Sequence, residues 1–111
     1  MKYILSTETK TGDDVILYRI RAERDIPRHG VSKGDLGGWI ASCDNLSQDG
    51  DAWVYGNAWV YGNARVYGNA WVSEDARVYE NARVYGDAEV FENARGRRNV
   101  DKKENNEKDD L

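Results

Sequence analysis

Two side chains in this sequence are of the types that enzymes use for acid–base or nucleophilic chemistry, but neither has partners at a suitable spacing. His29, the single histidine, follows Pro27 and Arg28, and Cys43 is the single cysteine. A zinc site needs three or four ligands, and a catalytic histidine needs a group that fixes its tautomer. We therefore expect His29 to be a solvated loop residue, Cys43 to be a small packing residue, and the protein to be non-catalytic, with no metal or cofactor.

The other residues that could carry function are tryptophan, tyrosine and arginine, which recur at fixed positions between residues 51 and 94. These three types are enriched at the energetically dominant positions of protein interfaces. The same region holds seven acidic residues against three arginines, which disfavours a nucleic-acid ligand. The candidate protein-binding residues are Trp53, Trp59, Trp71, Tyr61, Tyr79, Tyr67, Tyr85, Arg65, Arg77 and Arg83.

The element that positions them is a six-residue repeat, written in register as DAWVYG, NAWVYG, NARVYG, NAWVSE, DARVYE, NARVYG and DAEVFE. Alternate residues of a strand share a face, so the Ala and Val of each unit point inward and the flanking Trp, Arg and Tyr point outward. A helix cannot keep a six-residue period on one stripe. Gly-Asn and Gly-Asp pairs, such as Gly56-Asn57, supply residues that tolerate a positive φ at the corner after each strand.

This pattern of an aliphatic residue, turn-formers and a small residue resembles the hexapeptide-repeat superfamily. The resemblance implies an all-β, left-handed parallel β-helix (a β-solenoid) of about three short coils, each of about 18 residues. Trp53 should then align with Trp71 and Glu89, Trp59 with Arg77 and Arg95, and Arg65 with Arg83. The aromatic residues should form ladders, with Tyr61 beside Tyr79, Tyr67 beside Tyr85, and Tyr55 beside Ser73. Such ladders can stabilise a coil without any partner.

The segments outside the repeat predict three parts. Residues 1–34 read as a β-hairpin cap, residues 35–94 as the β-helix, and residues 95–111 as a charged, flexible tail. The segment 45–50 is expected to continue the six-residue register, with Leu46 in the alanine position. No stretch is apolar enough to span a bilayer, and the expected location is the cytoplasm.

The motif GDLGGWI, followed by DNLS and the repeats, is similar to small phage- and prophage-encoded hexapeptide-repeat proteins. That resemblance implies the fold and an origin in a phage or mobile element, and no activity. The aromatic and arginine faces predict a non-catalytic protein that binds stoichiometrically. With a phage-like origin, the sharpest form of this hypothesis is inhibition of a host defence complex, as by an anti-CRISPR protein. The partner is a protein or a second copy, in a dimer or trimer. The alternatives are a self-assembling structural protein, or an acyltransferase-like or sugar-binding module. The superfamily's acyltransferases use a catalytic histidine and loops that protrude from the coils, and residues 51–94 contain neither.

Overall fold

The regular secondary structure of the described residues is almost all strand, and most repeated units hold a two-residue strand and a corner. A computed structural model describes residues 1–92 and the backbone of residues 95–96 and 103–105. The strands are β1 (Tyr3–Gly12), β2 (Val15–Ala22), β3 (Leu36–Ile40), β4 (Trp53–Val54), β5 (Trp59–Val60), β6 (Arg65–Val66), β7 (Trp71–Val72), β8 (Arg77–Val78), β9 (Arg83–Val84), β10 (Glu89–Phe91), β11 (Arg95–Gly96) and β12 (Lys103–Asn105). Two 3-10 turns lie at Pro27–His29 and Cys43–Asn45.

The repeat strands stack in parallel with an 18-residue offset, as the sequence predicts. Trp53 pairs with Trp71, Trp59 with Arg77, and Arg65 with Arg83. Three faces result, and we name them by what they carry. The hairpin face contains β3, β5 and β8; the loop face contains β4, β7 and β10; the arginine face contains β6 and β9.

The core of the stack consists of the alanine and valine positions. Every repeat alanine from Ala52 to Ala88 and every repeat valine from Val54 to Val90 has no exposed surface. These side chains are small because the backbone on three sides leaves only a narrow interior. The predicted inward direction of both positions is confirmed.

The corners depend on a left-handed backbone at the last residue of each unit. Gly56, Gly62, Gly68 and Gly86 have φ between 63° and 71°, and Glu74 and Glu80 hold the same conformation at 61° and 57°. A side chain at positive φ is strained. The two glutamates therefore show that the stack dictates this geometry even where the residue type opposes it.

The predicted register of residues 45–50 is wrong by two residues. Leu46 pairs with Val66, an offset of 20, so it occupies a valine position and not an alanine position. Trp39 pairs with Trp59 at the same offset of 20. The 18-residue offset begins at Asp51, whose backbone N–H bonds Gly68. The corner between Ser47 and Asp51 thus holds two extra residues.

An antiparallel hairpin covers one end of the stack. Strands β1 and β2 turn at Asp13 and Asp14, both of which have positive φ, and β2 pairs with β3, which in turn pairs in parallel with β5. The hairpin thus extends the sheet of the hairpin face. A two-residue turn of this kind matches the twist of the paired strands.

The enlarged corner between Ser47 and Asp51 binds the N-terminal end of the hairpin. The Gln48 side chain accepts hydrogen bonds from the backbone N–H groups of Lys2 and Tyr3, at 2.9 and 3.1 Å, and donates one to the Tyr3 carbonyl. The Lys2 ammonium is buried and donates to the Ala52 carbonyl at 2.7 Å. Gln48 in the enlarged corner and the Ala52 carbonyl just after it therefore supply polar groups that hold the cap.

Burial of Lys2 gives the protein a pH-dependent stability. Burial, with a smaller effect of Arg24, lowers the pKa of Lys2 to about 8. The unfolded chain then binds more protons than the folded one between about pH 8 and 10, so the contribution of Lys2 to stability increases as the pH rises through this window. We expect urea unfolding to show this increase in the wild type and to lose it in Lys2→Met. An identical pH slope in both proteins would show that Lys2 is not its source.

The charged tail expected at residues 95–111 lies mostly outside the described residues. Within it, β11 pairs in parallel with β8, opposite Arg77, and β12 pairs in parallel with β10. The alignment expected between residues 59, 77 and 95 is therefore present in the backbone.

Candidate functional site

Trp53, expected on the surface, is completely buried. It points away from Ala52 and Val54, as strand alternation requires, but the hairpin covers it there. Tyr3 packs edge-on against it, with ring centroids 6.4 Å apart, and a Cβ on Gly37 would lie 2.8 Å from its ring. The expectation that Trp53 contacts a partner is therefore wrong for this structure: its surface is already used by the cap.

Trp59 lies beneath the tip of the hairpin. The Arg77 guanidinium sits 4.0 Å from a Trp59 ring centroid, and a Cβ on Gly12 would come within 2.2 Å of the indole. Asp13, at the hairpin turn, accepts a hydrogen bond from the Tyr61 hydroxyl at 2.7 Å and pairs with Arg77 at 3.5 Å. Burial and this hydrogen bond raise the pKa of Tyr61. Trp59, Tyr61 and Arg77 therefore hold the tip of the hairpin against the coils.

Trp71 lies on the loop face and is half-buried. Tyr55 stacks on it at 5.3 Å, because Ser73 leaves the next position of the ladder empty, and His29 packs on it at 4.8 Å. Arg24 and Arg28 both form ion pairs with Asp51, and these ion pairs hold the loop that carries His29 against the coil. A groove of about 430 Å³ remains, lined by Arg28, His29, Asn69, Trp71, Asp87 and Glu89.

His29 is a packing residue and not the solvated loop residue that we expected. Its Nε2 lies 3.0 Å from the Asn69 carbonyl and donates to it when protonated, and burial lowers the pKa of the imidazole. None of the described residues that line its groove is a serine, threonine or cysteine. Across the residues that the structure describes, no group of three His, Cys, Asp or Glu side chains could hold a metal ion.

The arginine face is different, because its charged side chains have no ion-pair or side-chain hydrogen-bond partner among the residues whose side chains the structure describes. Arg65 and Arg83 are both exposed, and within residues 1–92 neither makes an ion pair or a side-chain hydrogen bond. They lie directly opposite each other on paired strands, an arrangement in which like charges repel. Tyr67 and Tyr85 stack beside them, with ring centroids 5.4 Å apart.

Two adjoining grooves run along this face, of about 440 and 470 Å³. Both contain Arg65, Arg83 and Asp44. The other lining residues are Ser42, Gly62, Asn63, Ala64 and Asn81 in one groove, and Cys43, Ser47, Val66 and Tyr67 in the other. Sequence reasoning missed Asn63 and Asn81 as lining residues, although their recurrence 18 residues apart was available as a signal. Cys43 is exposed at the rim rather than packed inside.

The ten candidate residues thus fall into two groups. Trp53, Trp59, Arg77 and Tyr61 hold the hairpin, with Tyr79 stacked on Tyr61 at 5.5 Å, and Trp71 holds the His29 loop. The free group is Arg65, Arg83, Tyr67 and Tyr85.

Comparison with known protein families supports the architecture. Residues 58–74 and 76–95 match the family model described as the YdcK beta solenoid repeat. The match covers 37 of the 111 residues and, with the parallel stack of strands, supports a β-solenoid repeat in this part of the chain. Arg65 and Arg83 occupy the same position in the two matched segments of the solenoid. No curated protein matches the chain. Among the described residues of the solenoid, no helix is long and apolar enough to cross a membrane.

Proposed function

We propose that this solenoid is a non-catalytic binding protein that acts stoichiometrically through the arginine face. The observation that carries the proposal is the pair of exposed arginines, Arg65 and Arg83, which β6 and β9 hold in register and which make no ion pair within residues 1–92. The repulsion between them costs stability, and the sequence could relieve it by placing an acidic residue at either position. A partner with acidic groups would neutralise the charges of Arg65 and Arg83 and remove their repulsion.

The direct test is capture of a partner by the tagged wild type, by Arg65→Ala/Arg83→Ala and by Arg21→Ala. Arg21 is a matched control, because it is exposed and makes only a surface ion pair with Glu23 at 3.7 Å. We expect a complex of fixed stoichiometry that is lost in the double variant and kept in the control. Equal capture by all three proteins would show that the arginine face is not the binding surface.

A charge reversal separates binding from folding. Arg65→Glu places a carboxylate opposite Arg83 and is expected to raise the free energy of unfolding by about 0.5 kcal/mol, because opposite charges on paired strands attract. The same variant should lose the partner. Urea unfolding and the capture assay measure the two effects, and a variant that is more stable yet still binds the partner would contradict the proposed role of Arg65.

We also propose a handedness for the coil and a class of partner. The resemblance of the six-residue pattern to the hexapeptide-repeat superfamily supports a left-handed coil. In the phage or mobile-element setting that the sequence resemblance implies, the partner would be a host defence complex, inhibited by occupation of one of its surfaces in the cytoplasm. Expression of the protein in an immune host, followed by phage challenge, tests this role: unchanged immunity and no captured host complex would contradict it.

Self-assembly is the second candidate, and the exposed aromatic residues favour it. Tyr55 is 46% exposed and lies at the edge of the loop face, beside Trp71. If this edge joins two or three copies, light scattering will give a dimer or trimer for the wild type and a monomer for Tyr55→Ser. A monomer in both cases leaves the arginine face as the proposed interface.

A further inference from the structure

The arginine face presents an anion-binding surface of defined spacing. Paired strands lie about 4.8 Å apart, so Arg65 and Arg83 leave the backbone at neighbouring steps along the solenoid axis. The planar guanidinium group binds a carboxylate through two parallel N–H donors. Two such groups side by side can therefore bind two carboxylates.

The surroundings add neutral donors to this pair. Asn63 and Asn81 line one groove, and Ser42 and Ser47 line the two grooves near the first corner. Among the described residues that line the two grooves, Asp44 is the only carboxylate, so this part of the lining carries an excess of positive charge. This excess stands out because the whole chain has a net charge of −4. The described lining of these two grooves therefore favours a negatively charged ligand.

We infer that the arginine face binds an acidic polypeptide segment, with one carboxylate on Arg65 and another on Arg83. This inference rests on the proposed function and names the chemistry of its partner. Carboxylates on alternate residues of an extended strand lie about 7 Å apart, and those four residues apart on a helix lie about 6 Å apart. Either spacing suits two long arginine side chains that project from neighbouring strands.

Nucleic acid fits the same surface poorly. Binding along a phosphate backbone draws on many cations, whereas this face offers two within an acidic protein. Single-stranded nucleic acid also needs open aromatic faces for its bases. Tyr67 and Tyr85 stack on each other, so the facing sides of their rings are closed.

Fluorescence polarisation with defined probes tests the inference. The probes are fluorescein-labelled decaglutamate and decathymidylate, and the proteins are the wild type, Arg65→Ala/Arg83→Ala, Arg65→Lys/Arg83→Lys and Arg21→Ala. We expect decaglutamate to bind the wild type and Arg21→Ala alike, and to bind the alanine variant at least about tenfold more weakly. The lysine variant keeps the charge but lacks the paired donors, so it should also lose affinity.

Each other result overturns the inference. Tighter binding of decathymidylate than of decaglutamate would identify a nucleic-acid surface. Absence of decaglutamate binding, equal loss in Arg21→Ala, or full affinity in the lysine variant would exclude a paired carboxylate site. The proposed function fails separately, because it requires arginine-dependent capture of a natural partner. Capture without decaglutamate binding would leave that function in place and exclude only the acidic partner.

Discussion

Replacing Trp53 by alanine should lower the free energy of unfolding by about 3–5 kcal/mol, the range typical of a large aromatic side chain removed from a core. Trp53 has no exposed surface and lies between the coil and the hairpin, where Tyr3 packs against it. Removal of the Trp53 side chain would leave a cavity between the coil and the hairpin. Urea unfolding followed by circular dichroism measures the change without relying on tryptophan fluorescence.

Two further variants test whether the decrease in the free energy of unfolding comes from the buried position of the Trp53 ring. Trp71→Ala removes the same side chain from a half-buried position and should cost clearly less. Trp53→Phe keeps a ring and removes an indole N–H that has no hydrogen-bond partner within the described residues, so it should also cost less. Equal losses in Trp53→Ala and Trp71→Ala would contradict the role of Trp53 as the cap's main packing contact.

Replacing Gly50 by alanine is expected to lower the free energy of unfolding by about 3 kcal/mol, the sum of a conformational cost at positive φ and a steric overlap with the next coil. Comparison with Gly30 separates these two contributions. Gly50 has φ of 70°, and an added Cβ would lie 2.6 Å from the Gly68 carbonyl oxygen in the next coil. Gly30 has φ of 67° but open space around its Cα. Gly30→Ala should therefore show only the conformational cost of about 1 kcal/mol.

The difference between the two variants measures how rigidly the corners are stacked. Thermal or urea unfolding of Gly50→Ala and Gly30→Ala gives it directly. Similar losses would mean that the coils separate easily to admit the methyl group, against the close stacking described above.

The sequence was sufficient to predict the stack because its determinants are local and repeated. The alternation of Ala52 and Val54 sets which side chains enter the core, and the glycine at the end of each unit sets the corner. An 18-residue coil then fixes which residues align, and the pairs Trp53–Trp71 and Arg65–Arg83 follow.

The repeat pattern does not predict burial or register where a segment far away in the sequence packs on the coil. The repeat shows that Trp53 points out of the coil, but not that Tyr3, 50 positions earlier, covers it. Leu46 is apolar and fits an alanine position by pattern alone. The structure assigns it to a valine position because the corner at Gln48 is enlarged to bind the hairpin. His29 likewise gained its partner Trp71 only through folding.

These failures change the assignment of function within the solenoid. Tryptophan was the most attractive interface residue by type, yet Trp53, Trp59 and Trp71 all contact the protein's own N-terminal region. Substituting the three together would disrupt the cap and abolish binding for reasons of folding. Within residues 1–92, the arginines of the arginine face form no ion pair, so this face stays available to a partner in that part of the chain.

The most direct test of this account compares two faces in one capture experiment. Arg65→Ala/Arg83→Ala alters the arginine face, and Tyr55→Ser/Trp71→Ala alters the loop face, with folding of both checked by circular dichroism. We predict that the arginine variant loses the partner captured by the wild type, while the loop-face variant retains it at unchanged stoichiometry. Loss of the partner only in the loop-face variant would contradict the account and return the interface to the aromatic residues.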